Sequence, residues 1–196
     1  MRANPLSHHL FTMACNGAWA NQRLLSVCAR LDDEAFAAPR VGFFGSLLAT
    51  ANHVLTVDWF YVDAIERALD GAPPHPSPGD HFEPELPFAR CAELASAQRE
   101  VDLRLVDRCR ALSDDALDVE VRIRRRSGDT RDPLVRVLAH LFQHSIHHRG
   151  QMHAMLSSTE LAPPPLDEFF GVGEAAGRAR ELEALGLSEE SIWGGG

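Results

Sequence analysis

Lysine is absent: all 19 basic residues among 196 are arginine. That excludes Schiff-base chemistry and a phosphate-binding P-loop, both of which need an ammonium side chain. Positive charge is also in deficit. The 28 aspartates and glutamates outnumber those 19 arginines and give a formal net charge of -9. A nucleic-acid surface draws its affinity from displacing counterions off phosphate, so this balance argues against such a partner. The local basic run RIRRRSGDTR, Arg122–Arg131, has no interleaved aromatics and reads as a solvated hairpin face. Cysteine is sparse: Cys15, Cys28, Cys91 and Cys109 contain no CxxC pair. They read as free, buried thiols in a reducing compartment, not as a disulfide framework. No apolar run approaches the ~18 residues of a membrane span. Nor does a basic segment followed by an apolar run open the chain. The expectation is a cytoplasmic protein with no membrane partner.

What the chain does have is helical periodicity, over a length suited to one domain. Asn4-Pro5 reads as a helix start, and Leu6, Leu10, Met13, Leu24, Cys28 and Leu31 carry an apolar stripe to about Leu31. A second helix is predicted over Ser46–Leu69, ended by Gly71. The proline-rich APPHPSPGDHFEPELP that follows cannot be regular helix. A third helix fits Phe88–Leu112. Val119, Val121 and Ile123 then alternate with charged residues before a Ser127-Gly128 turn signal, which predicts a short β-hairpin. Asp132-Pro133 reads as N-cap and first residue of a fourth helix reaching about Ser157. The fold class is therefore all-α: a four-helix bundle with one long crossover connection, plus a short β-hairpin before the fourth helix. Residues 1–166 form the bundle. Residues 167–196 add a short C-terminal helical extension of the same domain, two short helices around Gly186 with Ser188 as a cap.

The stretch LAHLFQHSIHHRGQMHAML, Leu138–Leu156, holds five of the ten histidines. At about 100° per residue, with His140 at zero, His144 falls near 40°, His148 near 80° and His147 near -20°. These four share one stripe; His153, near 220°, is expected outside it. Two i,i+4 pairs result, His140/His144 and His144/His148, and either can chelate one ion. All three cannot share it readily, because His140 and His148 lie about 12 Å apart along the axis. A third ligand must come from another helix. His53, inside the apolar ANHVLTVDWFY, is the best placed. Asp58, about 140° around that helix from His53, is expected to be a solvated carboxylate. Gly150 predicts close approach of another helix. Arg149 could clamp a substrate anion, Gln151 reads as a hydrogen-bond partner for a ligand nitrogen, and His75 and His81 read as solvated loop residues. One of His8 and His9 could face the bundle mouth.

The order of these letters adds to their spacing. HLFQHSIHHRGQ with NHVLTVDWFY upstream, and NGAWANQRLLSVCARLDDEAF in the first helix, resemble the DinB-like (damage-inducible) family of metal-binding four-helix proteins. The likeness runs over roughly residues 5–170, and HxxxHRGQ is its most specific element. It implies metal ligation by one histidine of the second helix and the HxxxH pair of the fourth. Here those are His53, His144 and His148. It leaves His140 as a pocket residue or a partner of the ligands, His147 as a helix-surface or packing residue, and Arg149 in a structural or interhelical contact.

Three neutral nitrogens leave coordination positions open, as in catalytic rather than closed structural sites. Zinc is the expected divalent metal; nickel, iron or manganese would also suit imidazole. The wider superfamily includes thiol-dependent transferases and a maleylpyruvate isomerase. The resemblance therefore implies a metal-dependent enzyme that activates a low-molecular-weight thiol, or water, for transfer to a small electrophilic substrate. The alternative is a non-catalytic metal- or ligand-binding stress-response protein. A homodimer is a further expectation of the resemblance. No catalytic side chain beyond the ligands is identified.

Overall fold

A computed structural model describes residues 5–125 and 128–194. Four long helices build the bundle: α1 (Leu6–Cys28), α3 (Leu47–Leu69), α4 (Cys91–Arg110) and α5 (Leu134–Leu156). The one-turn α2 (Asp33–Ala37) lies between the first two, and a two-stranded hairpin, β1 (Glu120–Ile123) and β2 (Thr130–Pro133), precedes α5. Two short helices follow, α6 (Ala175–Ala184) and α7 (Glu189–Trp193).

Helix limits follow their local chemistry. Ser46 caps α3 by accepting from the Ala49 amide at 3.0 Å, and Gly71 closes it at φ 67. The third long helix starts later than its propensity predicts. Asn52 grips Phe88 through both backbone groups, accepting from its amide at 3.0 Å and donating to its carbonyl at 2.9 Å. That bidentate hold keeps residues 88–90 out of the helix. The expected Asp132-Pro133 start of α5 is also displaced. Asp132 pairs with Val121 in the hairpin, so Pro133 becomes the cap and Leu134 the first helical residue. Asn4 and Ser127, invoked in the first helix start and the hairpin turn, lie outside the described residues; Gly128 of that turn has φ 115.

Cross-helix contacts give the direction of each rod. Gln98 meets Asp58, Arg104 meets Glu66 and Arg108 meets Asp70, so α3 and α4 run parallel. Asn21 meets Asp102, and Cys91 meets Leu25, so α1 and α4 are antiparallel. His53 faces His144 and Tyr61 faces His140, which sets α3 antiparallel to α5. A parallel α3–α4 pair needs a connection that returns the full length of the bundle, and residues 70–90 are that crossover. The core between the rods holds Trp19, Leu24, Leu55, Ile65, Leu94, Leu138 and Leu141, all essentially inaccessible.

The C-terminal helices dock on α1. Trp19 donates its indole N–H to Glu181 at 2.7 Å, and Arg23 pairs with the same carboxylate at 2.9 Å. Ser188 caps α7 in a reciprocal capping box with Ser191. The four cysteines are buried, and burial pushes Cys15, Cys28 and Cys109 up to about 12 and Cys91 to about 11. They are packing residues, not thiolate nucleophiles. No described helix is long and apolar enough to cross a membrane.

Candidate metal centre

His53 projects from the second turn of α3, and His144 and His148 from successive turns of α5. Antiparallel packing of these two helices brings the three rings together. His53 Nε2 stands 3.1 Å from His144 Nε2, and one ring nitrogen from each residue lies within 4.8 Å of the others. Ring centroids are 5.1 Å apart for His53–His144, 4.7 Å for His53–His148 and 4.4 Å for His144–His148. Two nitrogens bound to one tetrahedral zinc at about 2.0–2.1 Å would lie about 3.3 Å apart. The 3.1 Å spacing is close to that value. Three convergent imidazoles of this kind could hold a metal ion.

The profile of the DinB family matches residues 6–175. The chain belongs to the DinB family. Among solved structures, a DinB-like protein from Bacillus cereus resembles it with a TM-score of 0.57 and 21% identity, over 77% of this chain and 91% of that one. That likeness concerns the fold. No curated protein matches the chain.

In this DinB-family bundle the three rings are held in the form that can ligate. Burial, followed by the charge of His148, holds His53 down to about 4. Burial, then the neighbouring histidines, holds His144 to about 3; burial also lowers His148. All three are therefore neutral imidazoles with a free lone pair at neutral pH. The tautomer of His148 follows from Gln151. Its Oε1 lies 2.9 Å from His148 Nδ1, and its Nε2 lies 3.0 Å from His147 Nε2. Only one assignment serves both contacts: Nδ1–H of His148 donates to the amide oxygen, and the amide N–H donates to His147. His148 then points its Nε2 lone pair at the cluster. His144 lacks such support, since its buried Nδ1 finds no hydrogen-bond partner among the described residues.

One wall of the site escaped the sequence reading. Phe44 stacks on His53 with centroids 4.1 Å apart and planes at 30°, and lies 5.5 Å from His148. Gly45, at φ 74, turns the loop so that Phe44 can reach the ring, and the Arg40 amide bonds the Gly45 carbonyl at 2.7 Å. The adjoining Val41 and Phe43 stand exposed.

Beneath the histidines lies a buried polar cluster to which every long helix contributes. Gln98 donates to Asp58 at 2.6 Å and to Asp102 at 2.9 Å. Asn21 donates to Asp102 at 3.0 Å, Arg149 donates to Asn21 at 3.1 Å, and Ser145 donates to Asp58 at 3.3 Å. The expected surface role of Asp58 is thus corrected: α3 packs against α4 and α5 at once, so the face opposite His53 is interior too. Burial raises Asp58 to about 7, with the Asp102 charge adding, and burial raises Asp102 to about 6. Ser145 and Arg149 adjoin His144 and His148 in sequence, so the cluster fixes the α5 register that aims those rings.

Other expectations divide. His147 is exposed, as read, and Arg149 makes the interhelical contact. His140 is exposed against Tyr61, 6.2 Å from the His144 ring, and stays outside the cluster. His153 is half-buried and donates to the Pro164 carbonyl at 3.1 Å. Gly150 is exposed, and a Cβ at this position would meet nothing within 4 Å among the described residues; no helix approaches it, and nothing in the structure explains the glycine. His8 packs near Trp193 of α7, at the N-terminal end of α1 and so at the opposite end of the bundle from His53. His75 and His81 are not solvated: both are half-buried and meet Asp63.

Proposed function

We propose that the protein is a metal-dependent enzyme using His53, His144 and His148 as the ligands of one divalent ion, zinc in the first instance. The observation that carries this reading is the convergence of three neutral imidazole nitrogens from two antiparallel helices, with Gln151 fixing one tautomer. A divalent ion held there would acidify a bound thiol or water. The chain supplies the rest. Phe44 presses on His53 and shields one side, while the exposed Val41 and Phe43 offer an apolar margin for a small substrate. The protein's own thiols are buried and protonated, so a thiol nucleophile would have to be a small soluble one.

The test has two arms. Elemental analysis of purified protein should find metal that His144→Ala removes while the helical signal persists. A panel of electrophiles with low-molecular-weight thiols should then show metal-dependent thiol consumption. A metal count in folded His144→Ala and His53→Ala that equals the wild-type count would refute the ligand set.

A second reading has its own support. Among the described residues, no carboxylate or thiol joins the three histidines as a fourth ligand, so the cluster itself is built of imidazole alone. A non-catalytic metal- or ligand-binding protein would look the same. An inactive panel with intact metal would favour it.

A further inference from the structure

We propose a second cation site, formed by Asp63, His75 and His81, that clasps the crossover onto α3. It does not depend on the three-histidine reading. Asp63 lies ten residues beyond His53 on the same helix, about 15 Å along its axis.

Three features converge on it. One donor atom from each of the three residues lies within 4.8 Å of the other two. His81 Nε2 is buried and finds no hydrogen-bond partner among the described residues, an arrangement that leaves a desolvated nitrogen uncompensated. Asp63 Oδ2 is 3.6 Å from it, too far for a hydrogen bond. Two ligand atoms sharing one tetrahedral ion stand about 3.3 Å apart, so a shift of a few tenths of an ångström would let one ion satisfy both. The carboxylate is already aimed. Arg67 Nε contacts its two oxygens at 2.9 and 2.8 Å, and Arg67 also reaches the Pro73 carbonyl at 3.3 Å. A carboxylate has about four acceptor positions, so this contact leaves room for an ion on its other edge.

Charge and donor type narrow the ligand. Asp63 and Arg67 cancel, so the attraction must come from the imidazoles. That selects zinc, nickel, cobalt or copper and rejects magnesium and calcium, which need several oxygens. The role is structural. Residues 70–90 have only one short 3-10 turn, Pro78–Phe82, and an ion joining His75 and His81 to Asp63 would tie that segment to the bundle.

His75 supplies a distinctive signature. The Ser77 amide donates to His75 Nδ1 at 3.1 Å, so the ring carries its proton on Nε2. Ligation through Nδ1 replaces the Ser77 hydrogen with the ion. Ligation through Nε2 moves the ring proton to Nδ1, which then cannot accept from Ser77. Either way, binding breaks the Ser77–His75 hydrogen bond.

The experiment titrates zinc into the full chain and counts tight equivalents. Wild type should bind one more equivalent than His81→Ala, and the double variant His53→Ala/His144→Ala should keep an equivalent that adding His81→Ala removes. Excess magnesium should not displace it. In wild type, nuclear magnetic resonance should show the Ser77 amide and His75 ring signals moving with that equivalent. This readout decides the matter even if a variant fails to fold. An equal count in wild type and His81→Ala, or unmoved Ser77 and His75 signals at saturating zinc, would overturn the proposal. The loss of all zinc from the double variant would also overturn it. A single equivalent in wild type that the double variant keeps and His81→Ala loses would uphold this site and defeat the three-histidine one.

Discussion

Gln151 offers the sharpest test of how the histidines are aimed. Its amide accepts from His148 Nδ1 at 2.9 Å and donates to His147 at 3.0 Å. Gln151→Leu keeps the side-chain bulk and removes both bonds. His148 then loses the partner that fixes its tautomer and ring angle, while His53 and His144 are untouched. Outer partners of metal-bound histidine typically contribute about 10–100-fold in affinity. At about 1.4 kcal/mol per decade, the loss should be about 1.4–2.8 kcal/mol of zinc binding. Gln151→Glu restores a stronger acceptor for Nδ1–H and should bind zinc at least as tightly as wild type. Competition against a chromophoric chelator measures both, and metal-free melting temperatures control for stability, because Gln151 is only half-buried. The reasoning fails if Gln151→Leu binds zinc as tightly as wild type, or if Gln151→Glu falls with it.

Two further perturbations probe the scaffold. Asp58 and Asp102 are carboxylates whose folded-state affinity for protons is raised by burial. The folded state therefore binds more protons than the unfolded one between about pH 4 and pH 7, and stability falls as pH rises through that window. Asp58→Asn cannot ionise, so its stability relative to wild type should improve by about 2 kcal/mol from pH 5 to pH 8 in urea melts. A relative stability that stays flat or worsens would contradict the assignment. Asn52→Ala should cost about 1–3 kcal/mol, because it strips two backbone groups of Phe88 of their partner, and should speed proteolysis within residues 84–90. Cleavage at the wild-type rate would refute that role for Asn52.

The sequence made α3 legible because Ser46 and Gly71 are strong boundary signals and the apolar residues between them keep one period. It misplaced the start of α5, since Asp132-Pro133 suits a helix cap as well as the last pair of a hairpin, and only Val121 across the ladder decides. The candidate centre was legible in type and position. Helical geometry put His140, His144 and His148 on one stripe, and the family likeness singled out the HxxxH pair nearer Arg149. The buried polar cluster was not. A carboxylate 140° from an apolar face looks solvated until a second helix covers that side, as α4 covers Asp58. Nor could His75 and His81 be placed, because irregular proline-rich backbone has no period from which a contact with Asp63 follows.

X-ray absorption at the zinc edge, on protein carrying a single equivalent in the His81→Ala background, tests the central claim most directly. The expected result is a coordination sphere with three imidazole nitrogens at about 2.0–2.1 Å, and no such zinc sphere once His144→Ala is added to that background. A sulfur contribution, or a nitrogen count unchanged by that substitution, would contradict it.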